Sequence, residues 1–181
     1  MDRNGCSDSQ SATNKISLPA GLLRMKKYGF ILLLCALFLG GCQQADTPCT
    51  QTTVTTEAPL EEVSTLKQYI ETNNINATAD KRGFYYSVQK AGSGTKPTVC
   101  SSVTVNYAGK LTNGEEFDSG RGVSFGLNQL IVGWQEGIPL VAPGGSITLY
   151  LPPSLAYGSQ EQNGIPANSI LVFTIDLIKV N

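Results

Sequence analysis

From Gly83 onward the chain is written in short apolar stretches of period two, each closed by glycine or proline. Phe84, Tyr86 and Val88 alternate with differently facing residues, and Val103, Val105 and Tyr107 alternate with Ser102, Thr104 and Asn106. Such alternation puts one face of a strand on a core and turns the other outward. Asn113-Gly114, after Leu111, reads as a hairpin turn, because the favoured two-residue turn needs positive φ at its centre. Phe125 and Leu127 predict another short strand. Trp134 to Leu140 predicts one brief helix, limited by Pro139, which lacks a backbone donor. Pro143-Gly144-Gly145 is a turn, and Ile147, Leu149 and Leu151 alternate until Pro152-Pro153 stops the strand. In the last element, Ile170 to Val180, Leu171, Phe173, Ile175 and Leu177 share one face. The pattern predicts an α+β domain over residues 83–181. Five or six antiparallel strands would bury one face against one short helix.

The residues before this domain read differently. In Leu60 to Ile70, Val63, Leu66 and Ile70 recur at helical spacing with Tyr69 beside them. Glu61 and Glu62 fall in the first turn, where the helix dipole favours negative charge. A short amphipathic helix is predicted, ending before Asn73-Asn74, with residues 60–82 forming helix and connector; its apolar face serves either dimerisation or docking on the main domain, and docking is the favoured reading. Asp46 to Pro59 is rich in threonine (Thr47, Thr50, Thr52, Thr53, Thr55 and Thr56) and poor in apolar side chains. It predicts a flexible spacer, and residues 42–59 as a whole a tether.

Further upstream lies an address. Lys26 and Lys27 precede Phe30 to Leu39, an unbroken run of ten apolar or small residues. A membrane-spanning helix needs about 20, so the run suits a secretory signal. Leu39-Gly40-Gly41-Cys42 resembles the bacterial lipobox. That resemblance implies a lipoprotein signal over residues 25–41 and a lipidated Cys42 as the mature N-terminus. The alternative is an ordinary signal peptide with Cys42 incidental. Met25 then reads as the true start, leaving residues 1–24 as an upstream segment. Gln43, rather than Asp, follows the cysteine. By analogy with enteric bacteria this points to the outer membrane of a bacterial envelope.

Composition excludes more than it selects. The chain has no histidine, which removes Ser-His-Asp and Cys-His catalysis, His-ligated zinc and any imidazole acid or base. Residues 42–181 carry eight Lys and Arg against twelve Asp and Glu, a balance of −4, so nothing draws nucleic acid. Nothing calls for a metal or cofactor. Of five cysteines, Cys49 and Cys100 remain as an even pair after processing and lipidation. In an oxidising envelope they form either a disulfide or two free thiols.

Read in order, five blocks resemble the FKBP-type peptidyl-prolyl isomerases over roughly Gly83 to Asn181. They are Val105-Asn106-Tyr107-Ala108-Gly109, the segment Asn113 to Ser119 with its Phe117-Asp118 pair, Leu130 to Gly137 around Trp134, Leu151 to Gly158 around Tyr157, and Gly164 to Ser169 with Leu171-Val172-Phe173. The resemblance implies a sheet curled around one short helix, with a proline-binding pocket between them and a small helix before the first strand. Carried over by motif, Trp134 forms the floor. Tyr107, Phe117, Phe173, Ile131 and Val123 form walls, with Leu130 beside Ile131. Asp118, Tyr157 and Ile165 stand at the rim. Catalysis falls to Asp118, Tyr157 and Phe117, the Ile131 N–H and the Tyr157 hydroxyl holding substrate carbonyls. Taken singly, Trp134, Phe117, Phe173 and Tyr107 read as core and Asp118 as a turn residue; only the ordered set reverses this. One departure is plain: Val123 stands where an aromatic is common.

The activity so implied is rotation about X-Pro bonds of folding envelope proteins. It needs no imidazole, since no bond is broken. Macrolide ligands are expected to enter the same pocket. The alternative is a non-catalytic chaperone or scaffold using that pocket to hold proline-containing chains.

Overall fold

The computed structural model describes residue 49, residues 54–162 and residues 164–181. The expected upstream segment, signal and lipidated Cys42 lie outside the described residues, as does most of the tether.

Helix α1 spans Leu60–Thr72 and runs two residues beyond the expected Ile70. It buries Leu66 and Ile70. The Glu62 carboxylate accepts the Ser154 N–H at 2.8 Å. The helix is therefore docked on the domain. Two-residue β1 (Thr78–Ala79) leads into β2 (Tyr85–Lys90). Long β3 (Ser102–Leu111) and β4 (Glu116–Gly126) follow. After α2 (Val132–Gly137) come β5 (Gly145–Leu151) and β6 (Leu171–Val180). The strands form one antiparallel sheet in the order β1-β2-β5-β6-β3-β4. Its inner face carries Val103, Val105, Ile147, Leu149, Leu151, Leu171, Ile175 and Leu177, all essentially sealed from solvent. Burial of those alternating rows is the main stabilising term.

Four details depart from expectation. Phe125 and Leu127 do not form a separate strand. Phe125 continues β4, and Leu127 opens a 3-10 turn, Leu127–Gln129. The brief helix starts at Val132, two residues early, and Ile138–Leu140 is a 3-10 turn with Pro139 near its start. Val88 is exposed beside a register shift in the β2–β5 pairing, which interrupts the alternation read from Phe84 and Tyr86. The stretch Val54 to Pro59, expected as spacer, lies on the domain. The Ala58 N–H donates to the Arg82 carbonyl at 2.9 Å, and the Val54 N–H donates to Glu136 Oε1 at 3.2 Å. Backbone donors hold it there, and those are invisible to a reading of side-chain hydropathy. Upstream, Cys49 and Cys100 are joined by a disulfide, their Cα atoms 5.6 Å apart.

Two glycines set how close α2 comes to the sheet. A Cβ on Gly133 would sit 2.4 Å from both Leu151 Cδ atoms, and one on Gly137 2.5 Å from Leu149 Cδ1. One turn apart, they form a flat strip that rests on β5 and brings Trp134 down against the sheet.

Candidate active site

Between α2 and the sheet lies a cavity of about 240 Å³. It is lined by Tyr107, Asp118, Phe125, Gln129, Leu130, Ile131, Trp134, Tyr157 and Phe173. Trp134 is 4% exposed. Three rings stand nearly perpendicular to its indole: Tyr107 at 5.2 Å and 79°, Phe173 at 5.3 Å and 90°, and Phe125 at 6.0 Å and 86° between centroids and planes. Edge-to-face packing of this kind fixes ring orientation as well as burying area. The indole Nε1–H is buried and meets no acceptor among the described residues.

Tyr107 and Asp118 face each other across β3 and β4. Their strands are pinned nearby, Gly109 opposite Asp118 and Gly120 opposite Tyr107. Gly120 is required: a Cβ there would lie 2.6 Å from Tyr107 Cε1. The Tyr107 hydroxyl donates to Asp118 Oδ2 at 2.9 Å. Burial, and then this bond and the Asp118 charge, push the Tyr107 hydroxyl up to about 12. Tyr157, half-exposed at the mouth, is also raised, chiefly by burial and then by Asp118. Both phenols are therefore neutral hydrogen-bond donors at physiological pH.

The opposite lip is the turn before α2. The Gln135 side-chain amide donates to the Leu130 carbonyl at 2.7 Å. The Ile131 carbonyl accepts from the Trp134 and Gln135 backbone N–H groups, and its own N–H meets no acceptor among the described residues.

Seven of the expected site residues are thus brought together: Tyr107, Asp118, Leu130, Ile131, Trp134, Tyr157 and Phe173. Three lie outside the lining. Phe117 packs edge-on against Phe173 at 5.6 Å, one ring removed from the cavity. Ile165 is 6% exposed within the core cluster. Val123, expected as a wall, pairs with Val105 and stays out of the lining, while Phe125, two residues later, supplies an aromatic wall. Phe125 was legible as the next same-face residue of one strand, had β4 been read as continuous. Gln129 carries no such signal.

A larger groove of about 660 Å³ lies between the start of α1 and the β3–β4 turn, lined by Glu61, Glu62, Leu111, Pro153, Pro166 and others. It has no aromatic residue in its lining, whereas the smaller cavity is lined by Tyr107, Phe125, Trp134, Tyr157 and Phe173. Among the described residues no cluster of His, Cys, Asp and Glu suits a metal ion.

Comparison with known proteins agrees with this geometry. A family model described as FKBP-type peptidyl-prolyl cis-trans isomerase matches residues 93–178. The FKBP-type peptidyl-prolyl cis-trans isomerase FkpA of Buchnera aphidicola subsp. Acyrthosiphon pisum is 42% identical over 119 residues, 64% of this chain and 48% of that protein. Among solved structures, FkpA from Escherichia coli has a TM-score of 0.61 at 38% identity, over 67% of this chain and 60% of that one. AtFKBP13 has a TM-score of 0.53 at 31% identity, over 59% of this chain and 99% of that one. The chain spans about half the length of the curated relatives it matches. With an aromatic cage on Trp134, a Tyr107–Asp118 pair at its mouth and nearly all of AtFKBP13 matched by this domain, the chain belongs to the FKBP-type peptidyl-prolyl cis-trans isomerase family.

Proposed function

We propose that the protein accelerates cis-trans rotation about X-Pro bonds of folding envelope proteins. The observation that carries this is the aromatic cage on Trp134 with neutral phenols and the Asp118 carboxylate at its mouth. The uncatalysed rotation faces a barrier of about 18–20 kcal/mol, because twisting the amide breaks its resonance. The planar form is charge-separated and favoured by water. A cage of Trp134, Tyr107, Phe125 and Phe173 removes that water around the proline ring. Donors already in place then select the twisted form without reorganising. The Ile131 N–H and the Tyr157 hydroxyl serve as those donors for substrate carbonyls. Asp118, held by Tyr107, shapes the field at the rotating carbonyl and moves no proton.

The test is a proline-tetrapeptide isomerisation assay on the purified protein, with Asp118→Leu and Tyr157→Phe. Acceleration over buffer, reduced by both changes and blocked by a macrolide ligand, is the expected result. A wild-type rate equal to buffer would leave the non-catalytic chaperone reading, in which the same cavity only holds proline-containing chains.

The setting follows from the leader. Cys42 carries lipid and holds the protein on the envelope, at the outer membrane. Among the described residues no helix is long and apolar enough to cross a membrane. Cys42→Ala should move the protein to the soluble envelope fraction; unchanged membrane partitioning would count against the anchor.

A further inference from the structure

Three contacts lay the end of the tether across α2. The Val54 N–H donates to Glu136 Oε1 at 3.2 Å. The Ala58 N–H donates to the Arg82 carbonyl at 2.9 Å. The Arg82 guanidinium pairs with Glu136 Oε2. Arg82 is itself held firmly. Its Nε and Nη2 fork onto the two Asp80 carboxylate oxygens at 2.8 and 3.1 Å. Asp80 also accepts the Arg82 backbone N–H at 2.9 Å, and the guanidinium stands 5.7 Å from the Phe84 ring centroid. The side chains of Arg82 and Glu136 are only 17% and 13% exposed. Charges so far from water are weakly screened, unlike a surface pair.

Glu136 lies two residues beyond Trp134 on a six-residue helix. At 3.6 residues per turn, the two side chains leave the helix on nearly opposite sides, about 160° apart. The indole reaches the cavity while the carboxylate reaches the strap formed by Arg82 and Val54. A helix this short has little cohesion of its own, so what grips it sets its position. Gly133 and Gly137 rest on Leu151 and Leu149. That contact stops α2 from moving further toward the sheet but does not prevent it from lifting away. The grip on the outer side is Glu136.

We propose that Glu136 is a positioning residue, clamped by Arg82 and the Val54 N–H, that seats α2 so that Trp134 stands at the cavity floor. The tether segment Val54 to Ala58 is then a working part of the site. The proposal rests on the isomerase reading. In its absence Arg82 keeps its fork on Asp80, so Glu136→Gln should fold.

Trp134 is the only tryptophan, so its fluorescence reports the cavity floor and nothing else. The experiment uses the full chain with its disulfide intact, in two variants: Glu136→Gln, and Val54→Pro, which deletes the single backbone donor. Each is compared with wild type by circular dichroism, Trp134 emission and tetrapeptide kinetics. Glu136→Gln should keep its circular dichroism, shift Trp134 emission to the red and lower kcat/KM about tenfold. Val54→Pro should act in the same direction by about threefold. Glu136→Asp, which keeps the charge, should recover part of the loss. Folded variants with wild-type emission or wild-type kcat/KM would overturn the proposal, since it requires both to move. If Glu136→Gln does not fold, Val54→Pro decides by the same readouts. A wild-type protein without isomerase activity would sink the functional reading separately. Trp134 emission alone would then decide whether the strap seats α2.

Discussion

The Tyr107 hydroxyl donates to Asp118 Oδ2 at 2.9 Å, tying a half-buried ring of β3 to an exposed carboxylate of β4. The bond does two things at once. It helps hold a ring that stands edge-on to Trp134, and it occupies one oxygen of Asp118, a residue of the cavity lining. An exposed carboxylate alone would be mobile and screened; here its position is set by a ring that the core has already fixed.

Burial of the Tyr107 hydroxyl, with the Asp118 pairing as the second cause, has a signature in pH. A tyrosine in the unfolded chain ionises near 10, whereas the folded Tyr107 holds its proton up to about 12. Its contribution to stability is complete below about pH 10 and is lost as pH rises through about 12. A phenolate absorbance titration, taken as wild type minus Tyr107→Phe, should show one group ionising above the ordinary range, and Asp118→Asn should bring it down. Ionisation of Tyr107 at the ordinary value in the wild type would contradict the burial and the contact together, and an unchanged value in Asp118→Asn would contradict the contact alone.

The aromatic wall is Phe125 rather than Val123. Phe125→Ala should remove an edge contact to both Tyr107 and Trp134, lowering kcat/KM on the order of tenfold and shifting Trp134 emission. Val123→Ala should leave both close to wild type. Reversed effects would mean that Val123 supplies the wall.

Gly133→Ala sets two effects against each other. Replacing glycine by alanine within a helix gains about 1 kcal/mol. The new Cβ, 2.4 Å from both Leu151 Cδ atoms and 2.9 Å from Cγ, forces α2 off the sheet, and overpacking a filled core costs about 1–3 kcal/mol. The steric term wins because Leu151 is fully buried and has nowhere to turn. Urea denaturation should show a lower midpoint, with Gly137→Ala behaving alike against Leu149; a raised midpoint would show that the core yields.

The Cys49–Cys100 bond closes a loop of 51 residues in sequence separation. In the chain-entropy account such a loop stabilises by up to about 4 kcal/mol. Reduction, or Cys49→Ser, should lower the urea midpoint accordingly. Equal midpoints with and without reductant would place the bond's worth in the tether alone.

Much of the sheet was legible because its rows are long and repetitive. Leu171, Phe173, Ile175 and Leu177 are buried in alternation as their spacing implies. Phe117, Ile165 and Val123 resist such reading: an apolar residue next to a pocket and one that lines it look the same in a string. For Phe117 and Val123 the difference is set by the register of β3 against β4, with its bulge between Val105 and Tyr107; for Ile165 it is set by a loop bridged at Gln162.

By itself the sequence determined the strand rows, the turn at Asn113-Gly114, the absence of imidazole chemistry and the set of residues from which the pocket is built. These are local properties of period, backbone freedom and composition. Tertiary structure alone decided that Phe125 meets Trp134, that Tyr107 holds Asp118, and that the Val54 N–H reaches Glu136 on α2. Each depends on contacts between residues distant in the chain, through backbone donors and ring edges whose placement no local pattern encodes.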